Sequence, residues 1–337
     1  MKAVFIRGPK SFGLDEIERP DPGPDDALVR VKACGVCGSD IAYIDSGHAG
    51  FMTTGEGPWA LGHEAAGEVV ALGARVQGLE PGDRVILNPF DAVAMNAVGN
   101  GGPEGAFADF IRIRNVSAGG RLLPMPAGLG YDIAALAEPM GVALHTVNRS
   151  RAAPQSRVVV LGVGPIGLRA VIWLKHKGVR HITAVDLSEE RLARAKGFGA
   201  DAVIRAGQGD LRSQLLAVYG ESARGAPPPD IYIDAAGSAA ALQEVVATAK
   251  IGARLTVVAI YKKPVPLDLS AMLHKEMSLD TSIGYPDELE EVVAFLGENR
   301  ARMADYISDY YPLEAFESAV AKARDPASAK VMVRMGA

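Results

Sequence analysis

Four side chains in the first part of the chain have the chemistry of metal ligands: Cys37, the adjacent pair His63 and Glu64, and Glu138. A thiolate, an imidazole and carboxylate oxygen form an ordinary zinc set, and three protein ligands plus a water make a catalytic site. Zinc so held lowers the pKa of an attached hydroxyl and keeps its oxygen as alkoxide, which hydride loss from the neighbouring carbon requires. Each residue also has a plainer reading. Cys37 could be a small buried hydrophobe, His63 a satisfied core histidine, Glu64 a solvated strand residue and Glu138 a neighbour of a helix cap. No local spacing rule joins the four, so side-chain chemistry alone leaves both readings standing.

A second constellation spans Arg157 to Asp186, RVVVLGVGPIGLRAVIWLKHKGVRHITAVD. The apolar run Val158 to Leu161 reads as a strand buried on both faces. It leads into Gly162-Val-Gly164-Pro165-Ile166-Gly167, followed by Ile166, Ala170 and Leu174 at helical spacing and a stop at Gly178. Gly162 permits a tight turn, Gly164 lets a pyrophosphate approach the backbone, and Gly167 lets helix and strand pack closely. The helix N-terminus offers unpaired N–H groups and positive dipole to phosphates. Asp186, nineteen residues past Gly167 at the end of a second short strand, is placed to accept from a ribose 2′-hydroxyl and to repel a 2′-phosphate. Strand, glycines, helix, strand and acid in this order predict a dinucleotide site, with NAD preferred over NADP.

The elements that position these residues change character along the chain. With 337 residues, two domains are the natural expectation. The early part predicts an all-β domain, with strands at 3–7, 27–33, 64–72, 83–87, 107–113 and 121–123. DPGPDD (21–26) and EPGDR (80–84) are turns, and 96–105 reads as an exposed loop. From about Gly141 strands alternate with helices, which predicts a parallel doubly wound sheet. Ser188 is the expected N-cap of one of its helices. The domain ranges are 1–142, 143–283, and 284–337 returning to the first domain.

A hydrophobic content of 48% leaves no case for disorder, and a net charge of -5 without a basic run argues against nucleic acid or an anionic membrane as partner. No apolar stretch approaches a membrane span, and the start does not read as a secretory signal. Cys34 and Cys37 are too close for a useful staple, so a cytoplasmic, reducing compartment is expected. An edge strand of the cofactor domain, 255–260 or 278–283, needs covering, so a homodimer or homotetramer is expected.

CGVCGSD (34–40), LGHE (61–64), PGDRV (81–85), EGAFADF (104–110), AEP (137–139) and GVGPIG (162–167) occur in the order found in the zinc-dependent medium-chain alcohol dehydrogenases. The resemblance runs essentially end to end and is nearest the sorbitol, butanediol and threonine dehydrogenase branch. It implies an α/β protein with a GroES-like β-barrel catalytic domain and a Rossmann domain. By this resemblance Cys37 and His63 bind one catalytic zinc. Glu64 binds it, exchanging with water, or sits just behind a ligand; Glu138 binds it or holds its water. Asp40 orients His63 through the other ring nitrogen, and Ser39 takes the substrate proton, the alternative being an N-cap serine. Tyr43 matches a substrate-pocket aromatic. Arg191 joins the cofactor contacts, and Lys330 matches a basic residue that meets the pyrophosphate. Cys34 is structural.

Two departures stand out. Relatives often carry histidine three residues after the serine, where this chain has Ala42, so a proton relay must end in water or another group. Between Val85 and Phe107 there is no cysteine, so the second, structural zinc of many relatives is absent. The expected reaction is NAD-dependent oxidation of a secondary alcohol (a polyol, diol or hydroxy-amino acid) to the ketone. The rivals are a zinc-free quinone or enone reductase of the same fold and a non-catalytic NAD-binding protein. No side chain identifies the alcohol.

Overall fold

The computed structural model describes residues 1–49, 52–53, 58–89, 98–99, 102–116, 121–222 and 225–336. They form two compact units, Met1–Pro139 with Leu289–Ala337, and Met140–Glu288.

The first unit is built on β-structure. Its larger sheet runs Leu122–Pro124, Arg84–Leu87, Glu64–Leu72, Ala27–Gly35, Val331–Arg334 and Asp309–Pro312, with Phe110–Ile113 also pairing with Ala27–Gly35. A second sheet joins Ser11–Glu16, Lys2–Gly8 and Trp59–Ala60. Val29, Val69, Ile113 and Val333 close the core between these strands. The EPGDR turn forms as its sequence dictates: Asp83 Oδ2 accepts the Glu80 N–H at 2.8 Å, and Gly82 takes a φ of 98°. The expected strand at 107–113 begins only at Phe110, because its first residues turn to Lys2–Gly8 instead: the Phe107 carbonyl accepts from Val4, and Asp109 N–H donates to Lys2.

The decisive feature is a three-strand strip. Gly35 pairs with Glu64 on one side and with Met332 on the other, both antiparallel. It brings Lys330, which directly precedes the last strand, to the same level as Val36 and Glu64.

The second unit has the expected α/β form, a six-stranded parallel sheet. Its order is Ala202–Arg205, His181–Asp186, Arg157–Leu161, Ile231–Asp234, Arg254–Val257 and Ser278–Thr281. Val158, Val159 and Val160 are fully buried, as a strand covered on both faces must be. Four helices start on side-chain caps: Ser188, Asp210, Ser238 and Asp268 each accept the backbone N–H three residues on. The first strand lies between the second and fourth, so the order reverses at its carboxyl end, where open α/β sheets bind ligands.

Two expectations need correction. Of the two strands proposed as an edge, Ser278–Thr281 is one, whereas Arg254–Val257 lies inside the sheet. The 96–105 stretch is not an exposed loop where it is described. Val98 joins the core, the Gly99 N–H donates to Glu104, and a Cβ on Gly105 would strike the Leu61 carbonyl. Glycine there serves close packing instead of exposure. Residues 96–97 and 100–101 of that stretch, and 90–95 before it, lie outside the described residues.

Candidate functional site

Cys37 sits at the N-cap of helix Gly38–Ser46, just past the end of strand Ala27–Gly35, in extended backbone. The helix thus begins before Ser39, which is not its N-cap. The Ser39 Oγ is buried without a hydrogen-bond partner among the described residues. Asp40, wholly buried, faces back from the first turn. Its Oδ2 accepts the Cys37 N–H at 2.9 Å, and its Oδ1 accepts the Gly62 N–H at 3.2 Å. One carboxylate therefore ties together the two backbone segments that carry Cys37 and His63. The direct hydrogen bond expected from Asp40 to His63 is not made, since Nδ1 lies 3.7 Å from Oδ1. Asp40 positions the histidine through the backbone before it and through charge.

Donor atoms of Cys37, His63 and Glu64 lie within 4.8 Å of one another. His63 is 2% exposed and Glu64 1%. Burial opposes an imidazolium at His63, but the charges of Asp40, Cys37 and Glu138, with a hydrogen bond donated to Cys37, push its pKa up to about 10. Burial likewise raises the Asp40 carboxyl, against the pull of His63. The pocket is thus a buried, electron-rich set that draws positive charge. Sulfur, nitrogen and carboxylate donors so close together fit a zinc ion, and His63 Nδ1 is buried without a hydrogen bond among the described residues. Glu138, at the start of helix Ala137–Ser150 and 9% exposed, is near enough to act on His63 electrostatically but is not within the three-donor group.

Lys330 requires a correction. It was expected on a cofactor pyrophosphate, yet its amine is 2% exposed, pairs with Glu64 Oε2, and donates to the Val36 carbonyl at 2.8 Å. The strand order explains this, because Lys330 reaches Glu64 across Gly35. A Cβ on Gly35 would collide with both the Glu64 carboxylate and the Lys330 side chain.

Tyr43 is 1% exposed and belongs to the barrel core, its hydroxyl without a partner among the described residues. Burial, then the charge of Asp40, pushes its pKa up to about 12.

In the second unit the glycine turn joins strand Arg157–Leu161 to helix Pro165–His176, with Gly164 at the N-cap and Pro165 in the first turn. Gly162 has a φ of 78°, and a Cβ on Gly167 would strike the Gly162 carbonyl. Beside Gly164 there is space, with only Arg191 near, and Ile166 is half-buried in the helix that follows. Asp186 Oδ2 accepts the Val163 N–H at 2.8 Å and Oδ1 the Ser188 N–H at 2.9 Å. Arg191 Nη1 stands 3.9 Å from Asp186. The six motif residues, Asp186 and Arg191 thus share one locality.

Asp234 was missed. Fully buried at the end of strand Ile231–Asp234, it accepts from the Ala236 and Gly237 N–H groups and from the Tyr261 hydroxyl at 2.6 Å. This shapes the loop whose Ala236 packs on Gly162. Its sequence signal was an acid closing a short apolar strand just as Asp186 does.

Two family models match the chain: "Zinc-binding dehydrogenase" over residues 165–298 and "Alcohol dehydrogenase GroES-like domain" over residues 23–127. Sorbitol dehydrogenase of Bacillus subtilis (strain 168) is 29% identical over 339 residues, covering 96% of this chain and 93% of its own. (R,R)-Butanediol dehydrogenase of the same organism is 29% identical over 318 residues, covering 88% of each. The crystal structure of 2R,3R-butanediol dehydrogenase from Bacillus subtilis superposes with a TM-score of 0.89 at 26% identity, over 99% of both chains.

Proposed function

The chain belongs to the zinc-dependent medium-chain alcohol dehydrogenase family, and from that premise we propose that it oxidises a secondary alcohol reversibly to the ketone with NAD. The relatives named for sorbitol and butanediol favour a polyol, diol or hydroxy-amino acid as substrate. The observation that carries the reading is the gathering of Cys37, His63 and Glu64 donors in a buried, electron-rich pocket. A quinone or enone reductase without zinc has no physical need for that set.

Cys37 and His63 would hold the zinc, with Glu64 or Glu138 adding a carboxylate. Bound there, zinc supplies a Lewis acid that polarises the substrate hydroxyl and makes it easier to deprotonate. Ser39 Oγ, unpartnered, accepts the hydroxyl proton and passes it outward, ending in water because Ala42 offers no side chain for a relay. Asp40 keeps Cys37 and His63 in register through their backbones. Gly162, Gly164, Pro165, Ile166 and Gly167 form the pyrophosphate cradle. Asp186 retains acceptor capacity for a ribose hydroxyl, and Arg191 lies beside Gly164. Tyr43 bounds the substrate side of the barrel core.

We place the protein in the cytoplasm, where its two free thiols stay reduced. Among the described residues no helix is long and apolar enough to cross a membrane. The exposed edge strand Ser278–Thr281, with Leu279 and Ile283 open to solvent, suits pairing with a second copy in a homodimer or homotetramer.

The test is zinc analysis of purified protein together with alcohol-dependent NAD reduction across polyols, diols and hydroxy-amino acids. One zinc per chain with turnover on this panel supports the reading; turnover in metal-free protein refutes it. NAD binding without turnover on any alcohol would favour a non-catalytic binder.

A further inference from the structure

The amino ends of the parallel strands, opposite the glycine turn, carry a second concave site. A cavity of about 550 Å³ opens there, lined by Arg151, Arg157, Arg254, His181, Asp230 and Ser156 among others. Arg157, His181 and Arg254 each open a strand of the sheet. Arg151 follows the end of helix Ala137–Ser150.

The charge in this cavity is unbalanced. Its one carboxylate, Asp230, is already engaged by Lys250 and by the Arg157 N–H. Among the described residues, Arg151, Arg157 and Arg254 have no carboxylate within ion-pair distance. Arg254 Nη1 is buried with no acceptor among the described residues. A guanidinium nitrogen withdrawn from water without a partner is costly and calls for an explanation. Helix carboxyl ends collect cations for their own reasons, and that accounts for Arg151. It does not account for Arg157 and Arg254, which belong to strands.

We propose that this cavity binds a small phosphorylated molecule, with Arg254 taking a phosphoryl group and Arg157 approaching it from the other side of the strand ends. Strand order and register set the approach. Arg254 stands level with Val158, one residue past Arg157 and across Ile231–Asp234, so the two side chains leave opposite faces of the sheet and meet the cavity from either side of its amino edge. A phosphoryl group matches the guanidinium fork and would give the buried Arg254 Nη1 an acceptor. Arg151 and His181 flank the pair and add donors. The cavity volume falls within the range of small-molecule sites. The site is separate from the pyrophosphate cradle at Gly164, which lies beyond the other end of the same strands.

Titration calorimetry with inorganic pyrophosphate tests this on the full chain, on Arg157→Gln, Arg254→Gln and, as the cradle variant, Gly164→Val. The expected result is one site weakened about tenfold or more in each arginine variant, the loss of a charge-assisted contact, and kept in Gly164→Val, which loses only the separate binding at the cradle. Equal binding in the arginine variants, loss in Gly164→Val alone, or no binding to the unaltered chain would overturn the proposal. If Arg254→Gln gives no cooperative melt, Arg151→Gln takes its place, since that side chain is exposed and its change leaves packing intact.

Discussion

Lys330 and Glu64 form an ion pair that is 2% and 1% exposed, reached across the one residue, Gly35, whose lack of a side chain leaves room for it. Glu64 is one of the three clustered metal donors. The pair therefore decides how much of that carboxylate is free to face an ion. Lys330 holds Glu64 at Oε2, so the carboxylate that joins the cluster is already partly neutralised.

Lys330→Met should strand the Glu64 charge in the core. Breaking a buried pair from one side costs about 3–5 kcal/mol, measured by denaturant unfolding. The double change Lys330→Met with Glu64→Gln should recover part of that loss. NAD affinity should stay the same in Lys330→Met; a large rise in its dissociation constant would restore the pyrophosphate role.

Gly35→Ala should perturb the same pair by steric collision instead of charge removal. Stability should fall by about 1–3 kcal/mol, the range for overpacking, and zinc content should fall with it. A fully stable, zinc-replete Gly35→Ala would show that Glu64 and Lys330 can separate freely.

Cys37→Ala should abolish zinc retention and turnover together while leaving NAD binding intact. Chelator treatment of the unaltered protein should reproduce the loss, and added zinc should reverse it. Turnover retained by zinc-free Cys37→Ala would refute the metal role.

Ser39→Ala should lower kcat by about 10²–10⁴-fold, the usual loss of a positioned proton-transfer group. Zinc content and the melting temperature should be unchanged, because among the described residues Ser39 Oγ makes no hydrogen bond and caps no helix. A substantial fall in stability with little change in kcat would make it structural.

Asp186→Ala should raise the NADP-to-NAD ratio of kcat/KM by removing the repulsion of a 2′-phosphate. It should also raise the NAD KM, since the carboxylate supports the Val163 N–H inside the glycine turn. An unchanged cofactor ratio would undo the assignment.

Much of this was legible in the sequence where the physics is local. Glu64–Leu72 has the expected bounds, the glycine turn joins strand to helix as its spacing requires, and the Ser188 cap forms. The family resemblance supplied the metal set, which no spacing rule joined. What could not be read depends on strand order. Lys330 meets Val36 across 294 residues of chain, and no local pattern encodes that neighbour. Ser11–Glu16 was missed because it is only half-covered and shows no clean alternation. The burial of Val98 and Gly105 was missed because glycine-rich composition signals turns and close packing alike. Asp40 lies beside His63, but its hydrogen bonds go to backbone, which side-chain reasoning does not anticipate.

The strand that follows Lys330 has a consequence for biosynthesis. A ribosome releases Cys37, His63 and Glu64 long before the segment that supplies the carboxylate's counter-cation. Until then the nascent barrel lacks one strand beside Ala27–Gly35 and carries an unneutralised acid at its centre. Metal capture during translation would meet a looser and more negative pocket than the finished one, so the last strand acts as a closing stitch that sets the site's final charge.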